Sequence, residues 1–311
     1  MDITSSEAQQ MLFSTYALLA ANSILIYDHM ATLPEEIAFI WRRPKALSAM
    51  LFLLNRYLAL LCNISNLVLR FVPLSDEVLL LHAYTELPGS QLLSLRCPEY
   101  ELYRQLTLVF QAAVVCLIMT IRTYALYGGS RRLLTWMAII MIALAIAVSV
   151  GSLGHFTGVL LSGAGCFETY TAATAVRLGV AWVAEMVYEL LIFILIVYRI
   201  CKTRGLLRLS LVTRRNIIDI ILHDGAMYFG AMTLVNIPNI LTFYSGSDAI
   251  RGSLAALTSC LSVTLISRLM LNLHQSIDTG ICSIPARDEG PSLAVFTTRI
   301  DVQSAISSHH W

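Results

Sequence analysis

Two glutamates, Glu185 and Glu189, stand one helical turn apart inside a long apolar run. Carboxyls at that spacing share one face of a helix, which suits a ligand contact or a proton-linked step. The structural alternative is a protonated acid bonded to a neighbouring helix. Asp28 and Arg56 fall in the first two apolar runs, joined by a short connection. They are expected to form an ion pair, as a clamp or as a switch. Arg122, Asp224 and Arg268 lie near one end of the third, sixth and seventh runs. There they either hold these ends together in a resting state or reach separately toward the membrane interface. Asn236-Ile237-Pro238-Asn239 adds two amides and a missing backbone donor to the sixth run. That favours a kink, either static or a hinge. A charged group near the centre of a bilayer costs at least about 2.5 kcal/mol, so each of these residues needs a partner or a wet cavity.

Other chemistries lack their parts. Both lysines, Lys45 and Lys202, fall in connections, so no helix offers the amine of a retinal Schiff base. Tyr27-Asp28 has no Gly-x-Gly-Asp partner of the kind an intramembrane aspartyl protease carries. Asp28, His29, His223 and Asp224 contain no chelating i, i+4 histidine pair. No phosphate-cradling loop is present. The expectation is a protein without catalytic residues, metal or cofactor, and with no nucleic-acid partner at a net charge of +1.

The elements that position these residues follow from composition. Of 311 residues, 57% are hydrophobic and 13% charged, with a mean hydropathy of +0.71. Soluble domains carry about 25% charged residues, so lipid is the expected solvent. A helix needs roughly 20 apolar residues to cross the hydrocarbon. Seven runs qualify: Met11–Ala31, Leu47–Leu69, Leu106–Leu126, Leu133–His155, Ala173–Ile200, Leu222–Tyr244 and Ser253–Leu273. Their length excludes a β-barrel, whose strands alternate over about ten residues. The expected fold is all-α, a seven-helix membrane bundle. It divides into an exterior tail at 1–10, the helical domain at 11–274, and a disordered Ser/Thr-rich cytosolic tail at 275–311.

Orientation comes from basic residues. The first, third and fifth connections hold eleven Arg and Lys, among them Arg42, Arg131 and the Arg199–Arg215 stretch; the other three hold four. Basic connections stay in the cytosol, which puts the N-terminus outside and the C-terminus inside. Residues 1–10 are acidic and polar and lack the basic start of a signal peptide. Outside the helices, only Cys97 and Cys166 face the oxidising side. They form either one disulfide, from the third helix to the connection above the fourth and fifth, or two free thiols. The stretch from Arg70 to Glu101 is too polar to span and reads as an exterior loop broken by Pro73 and Pro88-Gly89.

Short motifs run through the chain. They include Tyr27-Asp28, Thr32-Leu33-Pro34-Glu35-Glu36-Ile37, Ile40-Trp41 and Leu53-Leu54-Asn55-Arg56-Tyr57. Further on stand Arg122-Thr123-Tyr124-Ala125-Leu126-Tyr127-Gly128, Gly165-Cys166, Asp224-Gly225, Val235-Asn236 with Asn239, and Ser267-Arg268-Leu269. Together they resemble a fungal membrane-protein family, best represented in basidiomycetes, known as domain of unknown function 6533. Gly129 and His274 depart from it, standing where basic residues are common. The resemblance implies a multi-pass membrane protein and leaves the activity open.

Two function classes remain. One is a receptor-like seven-helix sensor with a small-molecule or lipid ligand and a cytosolic signalling partner at the Arg199–Arg215 loop. The other is a transporter or lipid-handling protein working through Glu185 and Glu189. Plasma membrane is the expected location, with other secretory-pathway membranes satisfying the same constraints.

Overall fold

A computed structural model describes residues 5–41, 47–71, 89–152, 158–161, 165–168, 170–207, 215–248 and 250–278. Seven helices follow in order: α1 Ser5–Phe39, α2 Leu47–Phe71, α3 Gly89–Leu126, α4 Arg131–Ser152, α5 Ala172–Leu207, α6 Arg215–Ser245 and α7 Ala255–Asp278. Five of the seven apolar runs lie wholly in one of them; Leu133–His155 extends beyond the end of α4 at Ser152, and Ser253–Leu273 begins two residues before α7. Between α4 and α5 a short antiparallel hairpin pairs β1 (Gly158–Leu161) with β2 (Gly165–Glu168), with Leu160 opposite Cys166.

The helices run past the apolar segments. α3 starts at Gly89, directly after Pro88, so the second half of the expected exterior loop is helix. Glu101, at the end of that stretch, is satisfied by Arg104, Gln105 and Tyr170, as described below. α1 begins at Ser5, and about half of the expected N-terminal tail is therefore helical. Among the described residues six helices are long and apolar enough to cross a bilayer. They are α1, α2, α3, α5, α6 and α7.

Chain breaks have local causes. α3 closes with a paired cap: Gly128 N–H donates to the Ala125 carbonyl at 3.0 Å, and Gly129 N–H to the Tyr124 carbonyl at 3.1 Å. This Schellman arrangement needs a left-handed residue after the helix, and Gly128 supplies it at φ 70°. α6 continues unbroken through Pro238, as α1 does through Pro34.

Each helix packs against the next, and α7 returns to α1, closing a ring. α7 also touches α2 and α3, and is the most buried of the six. The apolar core gathers around Phe52, Ile118, Met119, Ile192, Phe229 and Ile266. A polar seam runs through it along α7. Ser259 Oγ donates to Gln111 Oε1 at 2.7 Å, and Asn55 Nδ2 donates to Ser267 Oγ at 3.2 Å and to the Val263 carbonyl at 3.3 Å. In hydrocarbon no water can satisfy such groups, so helix–helix hydrogen bonds take that role.

Candidate functional site

Near the α1–α2 connection the structure builds a charge cluster from α1, α2 and α7. Arg56 and Glu36 are almost fully buried, at 3% and 0% exposure. Arg56 Nε lies 3.1 Å from Glu36 Oε2, and 2.8 Å from His29 Nδ1. Its Nη2 donates to the His29 carbonyl at 2.6 Å. Glu36 Oε1 accepts from Tyr57 Oη at 2.8 Å and from Trp41 Nε1 at 2.9 Å. Asp28 points elsewhere, accepting from Arg268 Nε of α7 at 2.5 Å.

The expected Asp28–Arg56 pair is therefore corrected to two pairs, Glu36–Arg56 and Asp28–Arg268. The physical reason is packing order: α1 lies chiefly along α7 and touches α2 less. Of the expected Arg122–Asp224–Arg268 grouping, Arg268 is engaged by Asp28. Arg122 instead lies over the Phe229 ring at 5.9 Å and approaches the Leu269 carbonyl at 3.5 Å. The side chains of Asp224, Cys97 and Cys166 lie outside the described residues, as do residues 279–311 of the expected tail.

Glu185 borders a cavity of about 410 Å³ between α3, α4 and α5. Small side chains open it, notably Ala112, Ala113, Ala145, Ala181 and Ala184. Trp182 and Tyr188 also line it, and the Tyr188 hydroxyl is held by Thr120 Oγ1 at 2.5 Å. One turn beyond Glu185, Glu189 is fully buried and accepts from Asn236 Nδ2 of α6 at 2.6 Å. Asn236 sits two residues before Pro238, where the proline withholds a donor from the Leu234 carbonyl. Asn239 is also fully buried. The two expected carboxylates thus face different neighbours: Glu185 a cavity, Glu189 the proline-bearing helix.

At the opposite end of the bundle sits a network that the sequence did not single out. Glu101 and Arg104, one turn apart on α3, are buried as an ion pair with Arg104 Nη2 2.9 Å from Glu101 Oε1. Gln105 Nε2 donates to the same oxygen at 2.8 Å, and Tyr170 Oη donates to it at 2.6 Å. Arg104 also contacts the Tyr170 hydroxyl. Arg251 Nη1 donates to the Tyr170 carbonyl at 2.9 Å and pairs with Asp248. The i, i+3 charge spacing was the available signal. Beyond α3, at the other end, burial pushes the Tyr127 phenol up from its ordinary value, against the pull of the Arg199 guanidinium over its ring.

Residues 16–61 match the model of a family described as a family of unknown function, DUF6533. That stretch contains Asp28, His29, Glu36, Trp41, Arg56 and Tyr57, so it covers the α1 and α2 parts of the charge cluster. The motifs from Arg122 onward lie beyond it. No curated protein matches the chain. No solved structure matches it either.

Proposed function

We propose that the chain crosses the bilayer seven times, with the N-terminus outside and the C-terminus in the cytosol, as a receptor-like sensor of a small lipophilic ligand. The seventh span is α4, whose 22 residues extend about 33 Å at 1.5 Å per residue, enough for a hydrocarbon core of about 30 Å. The bias of Arg toward alternate connections supports the orientation. Plasma membrane is the location that suits an exterior stimulus and a cytosolic partner.

One observation carries the sensing role. The cavity beside Glu185 lies one helical turn from Glu189, and Glu189 is hydrogen-bonded to Asn236 on α6. An occupant that moves α5 at Glu185 therefore bears on the helix that holds Pro238. The basic Arg199–Arg215 stretch takes in the last turns of α5 and the connection 208–214 to α6, so a shift between the two helices reaches a cytosolic surface. No catalytic step is part of this function. The experiment is proximity labelling of a G-protein α-subunit from that connection in permeabilised cells. The function predicts labelling that a non-hydrolysable GTP analogue releases; labelling indifferent to nucleotide rejects it.

A second function, transport or lipid handling, is favoured by Glu185 beside a cavity with exposed apolar residues on its rim and by Glu189 one turn further along α5. α5 runs continuously through both glutamates, whereas transporter sites are commonly built on broken helices. Proton-coupled flux in proteoliposomes, lost on Glu185→Gln, would select transport.

A further inference from the structure

We propose that the cavity beside Glu185 takes a lipophilic monocation, an amine whose ammonium meets the Glu185 carboxylate while its apolar body fills the alanine-lined wall. This rests on the cavity being the ligand site of the sensor. The volume, about 410 Å³, falls within the range of roughly 300–1,000 Å³ typical of small-molecule sites. The wall carries no Lys, Arg or His. Among the described residues Glu185 makes no hydrogen bond and no ion pair, whereas other polar groups of the wall are committed. Tyr188 is held by Thr120, and Gln105 by Glu101 and Tyr170.

The sign of the charge follows. An ionised carboxylate in an apolar cavity is costly without a counter-charge, and the protein supplies none there. Nothing in the wall offers a positive charge to an anionic head, and Glu189, one turn away, is a second acid rather than a counter-charge. An ammonium brings the missing counter-charge together with a charge-assisted hydrogen bond, whereas an alcohol either bonds the protonated acid as a neutral pair, about half as strong, or leaves a carboxylate's charge unmatched. The lining also carries the aromatic rings of Trp182 and Tyr188, and aromatic rings favour a cation that meets their faces. The rim carries Val109, Leu117 and Ile142, which are exposed at 43%, 38% and 56%. Access is therefore from the hydrocarbon, and the ligand must first partition into lipid.

The test uses the full chain in nanodiscs of phosphatidylcholine, titrated with decylamine, decanol and decanoate, and reads the shift in unfolding temperature. Decylamine should half-saturate at a concentration at least tenfold below decanol, with decanoate weakest. Glu185→Gln should bring amine and alcohol to within threefold of each other, leaving decanol unchanged. Ala181→Phe keeps the carboxyl and fills the cavity; it should weaken both at least tenfold. Equal amine and alcohol concentrations in the wild type overturn the cationic class, as does amine preference that survives Glu185→Gln. If Ala181→Phe still weakens decanol in that case, the cavity remains a ligand site and only the charge assignment falls. If no amphiphile shifts the wild type, or Ala181→Phe changes nothing, both fall.

Discussion

Replacing Glu36 with alanine removes three contacts at once: the ion pair with Arg56 and the acceptor for both Tyr57 and Trp41. Arg56 is left 3% exposed with its opposite charge gone. Breaking a buried pair by deleting one partner typically costs about 3–5 kcal/mol. Each orphaned donor adds part of a further 1–3 kcal/mol, less than additively because the contacts share one network. A total of about 4 kcal/mol is expected. Asp28→Ala should cost about 1 kcal/mol or less, since Arg268 is 45% exposed and can find other partners. The assay is reversible unfolding in mixed micelles with increasing sodium dodecyl sulfate, followed by tryptophan fluorescence. A double-mutant cycle with Glu36→Gln and Arg56→Met should give a coupling of roughly 2 kcal/mol, and the Asp28→Asn, Arg56→Met cycle under about 0.5 kcal/mol. Equal couplings, or a larger one for Asp28, would refute the assignment of partners.

Gly252→Ala should destabilise the fold by about 1–2 kcal/mol, because φ is +71° and an added methyl would meet Phe243 and Tyr170 at 3.0–3.1 Å; the unfolding midpoint measures it. Tyr170→Phe should cost about 1–2 kcal/mol by deleting the hydroxyl shared by Glu101, Arg104 and Gln105, and an unchanged midpoint would contradict that network. Asn236→Leu leaves the Glu189 carboxyl without its α6 donor and should lower stability by roughly 1–3 kcal/mol, with Asn236→Gln recovering part of it. Cys201 is exposed near the end of α5, so an impermeant maleimide should label it only after permeabilisation; labelling in intact cells would reverse the orientation.

The seven helices were legible because each carries a long run of apolar side chains, a signal that needs no knowledge of neighbours. Their ends were not. Glu101 closed the expected exterior loop, yet at i, i+3 it and Arg104 neutralise each other and allow the helix to carry them inside. Partner choice was equally hidden. Sequence places Asp28 beside Arg56 through a short connection, whereas packing sets α1 along α7 and gives Asp28 to a residue 240 positions away. Glu36 was visible only as part of a motif; its role needed Tyr57 and Trp41 in three dimensions. The acids Glu185 and Glu189 stood out as buried charges in waiting. The cavity beside one of them did not, because the alanines that open it come from three helices and look in sequence like ordinary helix formers.

The Asp28–Arg268 pair has a consequence for biogenesis. Ribosomes add about 5–20 residues per second, so a separation of 240 positions leaves Asp28 waiting on the order of 12–48 s for its guanidinium. Glu36 and Arg56 can meet as soon as the first hairpin has inserted. The nascent chain therefore carries an unmatched acid in its first helix until the last one docks. A truncated product that stops before α7 would bear that mark permanently, a ready flag for membrane quality control.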